Sequence, residues 1–141
     1  EMTDGNVDKI YRAICHNTMN EKEGTIDLPI YASEESKPRR IVDERGQRSV
    51  THFKVIEELK DATYIELKLE TGRTHQIRVH LAYNGCPIFS DNLYGKEEKE
   101  YIGRQSLHAY KLRFKHPKTG EKMEFVAPIP EDMLSLLEKL K

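Results

Sequence analysis

Strict alternation of apolar and polar residues in two stretches most constrains the fold of this chain. The alternating apolar residues are Ile65, Leu67 and Leu69 in one stretch and Tyr110, Leu112 and Phe114 in the other. Because successive side chains of a β-strand point to opposite faces, each stretch predicts a strand with one buried face and one face toward water. Turn residues at 116–120 and a short strand at 122–126 predict that the second stretch forms a hairpin.

Two helices are predicted among the strands. One begins near His75 with Thr74 as its cap, carries Ile77 and Leu81 on one face, and ends at Gly85. The other is C-terminal, and its apolar stripe consists of Met133, Leu136, Leu137 and Leu140. Further strands are predicted at residues 9–15, 24–30 and 49–59. These patterns together predict an α+β domain, in which a mainly antiparallel or mixed β-sheet carries a few flanking helices.

Composition narrows the classes of function. The 141 residues are enough for one core, and no apolar run approaches the ~20 residues that a membrane-spanning helix needs. The net charge is −1, with 23 basic and 24 acidic residues, so any nucleic-acid-binding surface would have to be local. Cys15 and Cys86 show no CxxC spacing and favour a reducing cytoplasm. The 6 histidines show no HExxH spacing, so no metal site is expected.

The turn between the central strand and the first helix brings basic residues to a helix N-terminus. Arg73 and His75 lie where backbone N–H groups are free, an arrangement that attracts an anion. His75 and Arg78 are three positions apart and would share a face of the helix. The residues alone are equally consistent with the alternative that no anion binds here. In that case the basic side chains are ordinary surface charges and a histidine is buried in the core.

The order of residues in this region resembles that of a known family. Residues 69–81 read LETGRTHQIRVHL, and NGCPI follows at 84–88 and DNLYG at 91–95. This stretch resembles the motif T-G-R-[ST]-H-Q-[IL]-R-V-H-[LM], followed by G-x-P-I and D-x-x-Y-G, of RluA-type RNA pseudouridine synthases. Further stretches that resemble the family are K-x-Y-x-A at 9–13, G-x-I-x-x-P-[IL] at 24–30, L-H-A at 107–109, H-P at 116–117 and F-x-A-P at 125–128.

The resemblance implies that residues 1–141 form the C-terminal portion of a pseudouridine synthase catalytic domain. Such enzymes convert uridine in ribosomal or transfer RNA to its C-glycoside isomer without a metal or a cofactor, which implies RNA as the partner. Tyr11 and Arg78 are implied as catalytic residues, because the tyrosine ring packs against the target base and the arginine pairs with the catalytic aspartate. The residues implied to bind substrate are Arg73, His75 and Gln76.

Three assignments have alternatives. Arg73, His75 and Gln76 are assigned to substrate binding, in which they would contact RNA phosphate, and the alternative is that they hold the loop by hydrogen bonds to the backbone; for Gln76 this structural role is the favoured one. Asp91 is expected to stabilise a turn rather than to act as a catalytic acid. The basic residues at 37–40 are candidates for contact with the RNA backbone. The basic residues of the predicted hairpin, for which a solvated sheet face is an equal alternative, are Lys111, Arg113 and Lys115.

The catalytic aspartate of the family is not recognisable in this chain. It belongs to the motif H-R-L-D-x-x-T-S-G, upstream of the strand at residues 9–15, and no aspartate here has that context. We therefore expect the chain alone to be inactive and its unpaired strand edges to favour self-association. Two alternatives are a non-catalytic RNA-binding protein that lacks this motif, and an unrelated domain whose turn at residues 72–78 holds a phosphate.

Overall fold

The residues of alternating polarity lie within a six-stranded β-sheet. The computed structural model describes residues 7–35 and 38–141. Its elements are β1 (Val7–His16), β2 (Glu23–Asp27), β3 (Ile30–Tyr31), β4 (Ile41–Val42), β5 (Val50–Leu59), β6 (Ala62–Leu69), α1 (Gln76–Tyr83), β7 (Leu107–Lys115), β8 (Lys122–Val126) and α2 (Glu131–Lys139). The strand order of the large sheet is β2-β5-β6-β1-β7-β8, and each neighbouring pair is antiparallel. The predicted α+β fold with flanking helices is confirmed.

The sheet separates two apolar cores, each closed by one helix. Within β6, Ile65 and Leu67 have no exposed surface, which confirms the buried face that their alternation predicts. The side of the sheet that α1 covers, here called the α1 face, holds Ala13, Cys15, Ile65, Leu67, Leu69, Ile77, Leu81, Cys86 and Ile88. The opposite side, the α2 face, holds Ile14, Ala62, Tyr64, Phe89, Ile102, Met133, Leu136 and Leu137. The apolar stripe predicted for the C-terminal helix is thereby confirmed.

A β-bulge interrupts β7, so the strict alternation predicted for Tyr110, Leu112 and Phe114 is wrong at Tyr110. The register between β1 and β7 shifts at Tyr110, which is left as an extra residue. The Tyr110 ring centroid lies 4.3 Å from the guanidinium carbon of Arg12, whereas Leu112 lies opposite Lys9. Arg12 and Lys9 are three positions apart in β1 and point to opposite faces, so Tyr110 and Leu112 do not share a face. The predicted hairpin of β7 with β8 is confirmed.

The strand predicted at residues 24–30 is divided at Pro29. β2 ends at Asp27, and β3 begins at Ile30 in a separate sheet of two strands, β3 and β4. Proline has no backbone N–H with which to continue a strand ladder, so the chain leaves the large sheet here. As a result, the small sheet lies beside α1 rather than at the edge of the large sheet.

Helix α1 begins without the predicted threonine cap. Its first residue is Gln76, and the residue before it, His75, has the left-handed conformation with φ 60°. No side chain caps the helix, so the prediction for Thr74 is wrong. The Gln76 side chain instead accepts the backbone N–H of Arg73 and closes the turn. At the other end Gly85 has φ 81°, a conformation that glycine adopts readily, and the predicted end of the helix is confirmed.

One edge of the large sheet carries exposed apolar side chains. In β8, which pairs only with β7 among the described strands, Phe125 and Val126 are exposed. Unpaired strand edges of this kind favour association with another chain. Self-association remains a prediction.

Candidate functional site

Gln76 holds the beginning of α1 against the sheet through a buried amide. Its side-chain oxygen accepts hydrogen bonds from the Thr71 hydroxyl at 2.8 Å and the Arg73 backbone N–H at 3.0 Å. Its side-chain nitrogen donates to the Val50 carbonyl and the Thr51 hydroxyl, both at 2.9 Å. These contacts use all four hydrogen-bonding positions of the amide and provide the structural role that was the alternative for this residue. Substrate binding by Gln76 remains a prediction that this geometry does not favour.

His80 extends this network across α1. A carbonyl can only accept, so His80 Nε2–H donates to the Leu28 carbonyl at 2.9 Å, and the neutral ring leaves Nδ1 as an acceptor. The Thr51 hydroxyl donates to that Nδ1 at 2.9 Å while it accepts a hydrogen bond from Gln76. Burial lowers the pKa of His80 below its ordinary value. The network and the pKa therefore both favour an uncharged histidine in the folded protein.

We expect His80 to make the fold less stable in mild acid. Its folded pKa lies below the ordinary value of 6.5, so the unfolded chain binds the proton first as the pH falls. The free energy of unfolding should therefore decrease from about pH 7 toward about pH 5, with a slope of up to about 1.4 kcal/mol per pH unit from this group. Urea unfolding measured across this range should show a flatter pH dependence for His80→Leu. An unchanged slope would contradict the assignment.

Arg78 forms a two-point ion pair with Asp91. Its Nε and Nη2 lie 2.9 and 2.8 Å from the two carboxylate oxygens. Asp91 is only 1% exposed and also accepts the backbone N–H groups of Leu93 and Tyr94, both at 3.1 Å. Burial acts to raise the pKa of Asp91, but the hydrogen bonds from Arg78 and the backbone outweigh it and hold the pKa below its ordinary value. The expected role of Asp91 in the turn is confirmed.

This ion pair changes what Arg78 can offer to a second carboxylate. The catalytic prediction pairs Arg78 with an aspartate, yet Asp91 already occupies one side of its guanidinium group. Nη1 has no hydrogen-bond partner among residues 7–35 and 38–141. A catalytic carboxylate would therefore have to bind on the Nη1 side, and the catalytic role of Arg78 remains a prediction.

Basic side chains contact Tyr94 near the beginning of α1. Its hydroxyl accepts the Arg40 backbone N–H at 2.8 Å and lies 2.8 Å from His75 Nδ1. The guanidinium carbons of Arg39 and Arg78 lie 5.4 and 5.2 Å from the centroid of its ring, within range of cation–π attraction. Burial, followed by the charges of Arg78 and Arg40, lowers the pKa of His75. His75 is therefore an uncharged ring among positively charged side chains.

Tyr11 lies on the same face of the sheet as α1. In β1 it stands opposite Leu67 of β6 and Ala109 of β7, beside the bulge. Its ring packs against the apolar cluster of the α1 face, which includes Ile77, the residue before Arg78. An open pocket of about 360 Å³ adjoins Tyr11, and its other lining residues include Leu112, Phe125 and Val126. This volume is within the range of about 300–1,000 Å³ found for small-ligand pockets.

Two of the basic residues that were predicted to contact the RNA backbone have partners within the fold. Lys37 lies outside the described residues. In β7, Lys111 Nζ lies 5.6 Å from the centroid of the Tyr110 ring, and Arg113 Nε lies 3.5 Å from an oxygen of Asp8. Contact of these β7 residues with RNA remains a prediction.

No group of three or more His, Cys, Asp or Glu side chains in the described part of the chain is placed to hold a metal ion. No helix within that part has both the length and the apolar composition needed to cross a membrane.

Sequence reasoning does not identify Tyr94 as a site residue, and it gives Asp91 a role only in the turn. Tyr94 and Asp91 both belong to the D-x-x-Y-G motif, so a signal for them exists, but it does not reveal which partners they contact. Arg40 lies 54 positions before Tyr94, and no local pattern connects the two. Their contact depends on the path of the small sheet.

Comparisons with known proteins agree with the resemblance. A family model described as RNA pseudouridylate synthase matches residues 1–83. The chain is 43% identical, over 141 residues, to the uncharacterized RNA pseudouridine synthase YlyB of Bacillus subtilis, and it covers 46% of that protein. It is 42% identical over 149 residues to ribosomal large subunit pseudouridine synthase D of Vibrio vulnificus, covering 96% of this chain and 46% of that protein. The chain thus spans just under half the length of these relatives.

A solved structure shows the same fold. Human RNA pseudouridylate synthase domain containing 1 matches with a TM-score of 0.75 and 30% sequence identity. The match covers 87% of this chain and 55% of that chain.

Proposed function

Because the chain belongs to the RNA pseudouridylate synthase family, we propose that the protein containing it converts uridine to pseudouridine in ribosomal or transfer RNA. The observation that carries the proposal is that the family match, over residues 1–83, includes all of the predicted site residues. Those residues are Tyr11, Arg73, His75, Gln76 and Arg78. The relative named for the ribosomal large subunit supports ribosomal RNA as the substrate class. We place the reaction in the cytoplasm, in agreement with two free cysteines.

The reaction is an isomerisation, so no atoms are gained or lost overall. The bond from ribose C1′ to uracil N1 breaks, a bond from C1′ to C5 forms, C5 loses its proton and N1 gains one. A base must leave its stack to reach such a site, at a cost of a few kcal/mol that contacts in the pocket offset. The pocket beside Tyr11 supplies apolar surface for that purpose.

Tyr11 and Arg78 have separate roles in this proposal. The Tyr11 ring packs against the base, and its hydroxyl helps to move the C5 proton. Arg78, oriented by Asp91, donates from Nη1 to the catalytic carboxylate and keeps it ionised. In this proposal the catalytic carboxylate is supplied by residues outside this chain, in which the sequence His-Arg-Leu-Asp does not occur.

The Tyr11 hydroxyl provides the test of this function. In the protein that contains this chain, Tyr11→Phe keeps the ring but removes the hydroxyl, and we expect turnover to fall by about 10²–10⁴-fold. Tyr11→Ala should also weaken binding of the base. Tritium release from RNA labelled at uridine C5 measures the reaction. Tyr83→Phe, at a tyrosine that is 63% exposed, is the control and should have normal activity.

The outcomes of this test separate the candidate functions. Normal turnover by Tyr11→Phe would exclude the hydroxyl from proton transfer. If the unmodified protein binds RNA but releases no tritium from ribosomal or transfer RNA, the enzyme proposal fails. That result would favour the alternative of a non-catalytic RNA-binding protein.

A further inference from the structure

We propose that a cleft between the small sheet and the turn before α1 binds phosphate groups of the RNA backbone near the target uridine. This inference rests on the proposed function, since it takes RNA to be the ligand. The cleft has a volume of about 370 Å³, and three arginines line it: Arg40, Arg45 and Arg73. It is distinct from the pocket beside Tyr11, which lies near β7 and β8.

Two of these arginines carry a charge that no carboxylate neutralises in the part of the chain that the structure describes. Arg73 Nε donates to the backbone carbonyl of Arg48 at 3.0 Å, and Arg40 Nη1 donates to that of Pro38 at 3.2 Å. Both partners are uncharged, so these contacts position the guanidinium groups and leave their charge in place. Neither side chain forms an ion pair within the described ranges 7–35 and 38–141.

The third arginine contacts a carboxylate and an aromatic ring at the wall of the cleft. Arg45 contacts both carboxylate oxygens of Asp43, at 3.0 and 2.8 Å, and its guanidinium carbon lies 4.3 Å from the centroid of the Tyr31 ring. The hydrogen bonds from Arg45 lower the pKa of Asp43 to about 2, so the carboxylate remains charged at neutral pH. Among the described residues, the pair of Arg45 with Asp43 is the only ion pair that the three arginines form, so the cleft has a net positive charge.

The backbone around the cleft is built for close packing. A Cβ atom at Gly46 would lie 2.3 Å from the backbone carbon and oxygen of Ile30, so only glycine allows this turn to pack against β3. At the opposite wall, Arg73 and Thr74 directly precede His75. The walls are therefore parts of the fold, and the arginines do not depend on a free loop for their positions.

Phosphate is the ligand that this chemistry fits. Guanidinium groups present planar pairs of N–H donors that match the oxygens of a phosphate. The backbone N–H of Arg40 is bound by the Tyr94 hydroxyl, which also contacts His75. Tyr94 therefore connects the wall of the cleft to His75 at the beginning of α1, and the centroid of its ring lies 5.2 Å from the guanidinium carbon of Arg78. This arrangement gives a local positive surface to a chain whose net charge is −1.

The test is the salt dependence of RNA binding by the protein that contains this chain. Each phosphate contact contributes about 0.7–0.9 to the slope of log Kobs against log salt concentration. We expect Arg40→Ala and Arg73→Ala each to reduce this slope by about 1 and to weaken binding equally for poly(U) and for a mixed-sequence RNA hairpin. Arg104→Ala is the matched control, because Arg104 pairs with Asp132 beside α2, and its slope should equal that of the unmodified protein.

The outcomes of this test distinguish a failure of the cleft proposal from a failure of the proposed enzymatic function. An unchanged slope for both cleft variants would overturn the inference, even if tritium release shows that the protein is an isomerase. A reduced slope in a protein that releases no tritium would support the cleft and defeat the enzyme proposal. Weakening restricted to one RNA sequence would also overturn it, since it would indicate contacts with bases. Arg40→Gln and Arg73→Gln serve as second variants if either alanine protein fails to fold.

Discussion

Replacing the buried Asp91 by alanine should lower the free energy of unfolding by about 3–5 kcal/mol, because it leaves the partly buried Arg78 charge without its partner. The ion pair is two-point, and the side chains of Arg78 and Asp91 are 13% and 0% exposed. The substitution also removes the acceptor for the backbone N–H groups of Leu93 and Tyr94, which lie in the same turn. Urea unfolding followed by circular dichroism measures the change.

An exposed ion pair provides the matched control for Asp91. Asp132 contacts Arg104 with similar distances, but the two side chains are 41% and 43% exposed. Asp132→Ala should therefore cost only about 0–1 kcal/mol. Equal losses in the two variants would show that burial does not set the strength of the Asp91 pair.

The same pair predicts a loss of stability in acid. The folded pKa of Asp91 lies below its ordinary value, so its contribution is fully present above the unfolded pKa of about 3.9 and is lost as the pH falls through the folded pKa. Asp91→Asn keeps an acceptor for the turn but cannot ionise. The variant should therefore show a weaker dependence on pH below about 4 than the unmodified chain.

Replacing Gln76 by alanine should lower the free energy of unfolding by about 2–4 kcal/mol, since it opens a cavity and leaves buried polar groups without partners. The groups affected are the Thr71 hydroxyl, the Arg73 N–H, the Val50 carbonyl and the Thr51 hydroxyl. Gln76→Met fills most of the same volume but makes none of these hydrogen bonds. A similar loss in the methionine variant would assign the effect to hydrogen bonding rather than to volume.

The Gln76→Met variant also distinguishes between the two roles predicted for Gln76, substrate binding and support of the fold. RNA affinity should be measured without urea, at a temperature where both the unmodified protein and the Gln76→Met variant are folded. A structural role predicts that the affinity of the folded Gln76→Met protein stays close to that of the unmodified protein. A tenfold or larger loss would restore the substrate-binding assignment.

Periodicity in the sequence was enough to identify most of the large sheet. The buried face of β6, the β7–β8 hairpin and the apolar stripe of α2 follow from the spacing of apolar residues, because a strand repeats every two residues and a helix every 3.6. The resemblance to the family follows from a motif that is continuous along the chain. Such features depend on neighbours in sequence, so they can be recognised without a fold.

The tertiary structure alone decided which side chains meet. The bulge at Tyr110 depends on the register with β1, and the loss of the Thr74 cap depends on the side chain of Gln76. Arg78 and Asp91 are 13 positions apart, and the cleft brings Arg40 and Arg73 together across the small sheet. A side-chain hydrogen bond is a short-range contact worth about 1 kcal/mol, so which partners meet depends on how the apolar cores place the backbone. Sequence therefore determined the elements and the family of this protein, whereas the packing of those elements determined the chemistry of the site.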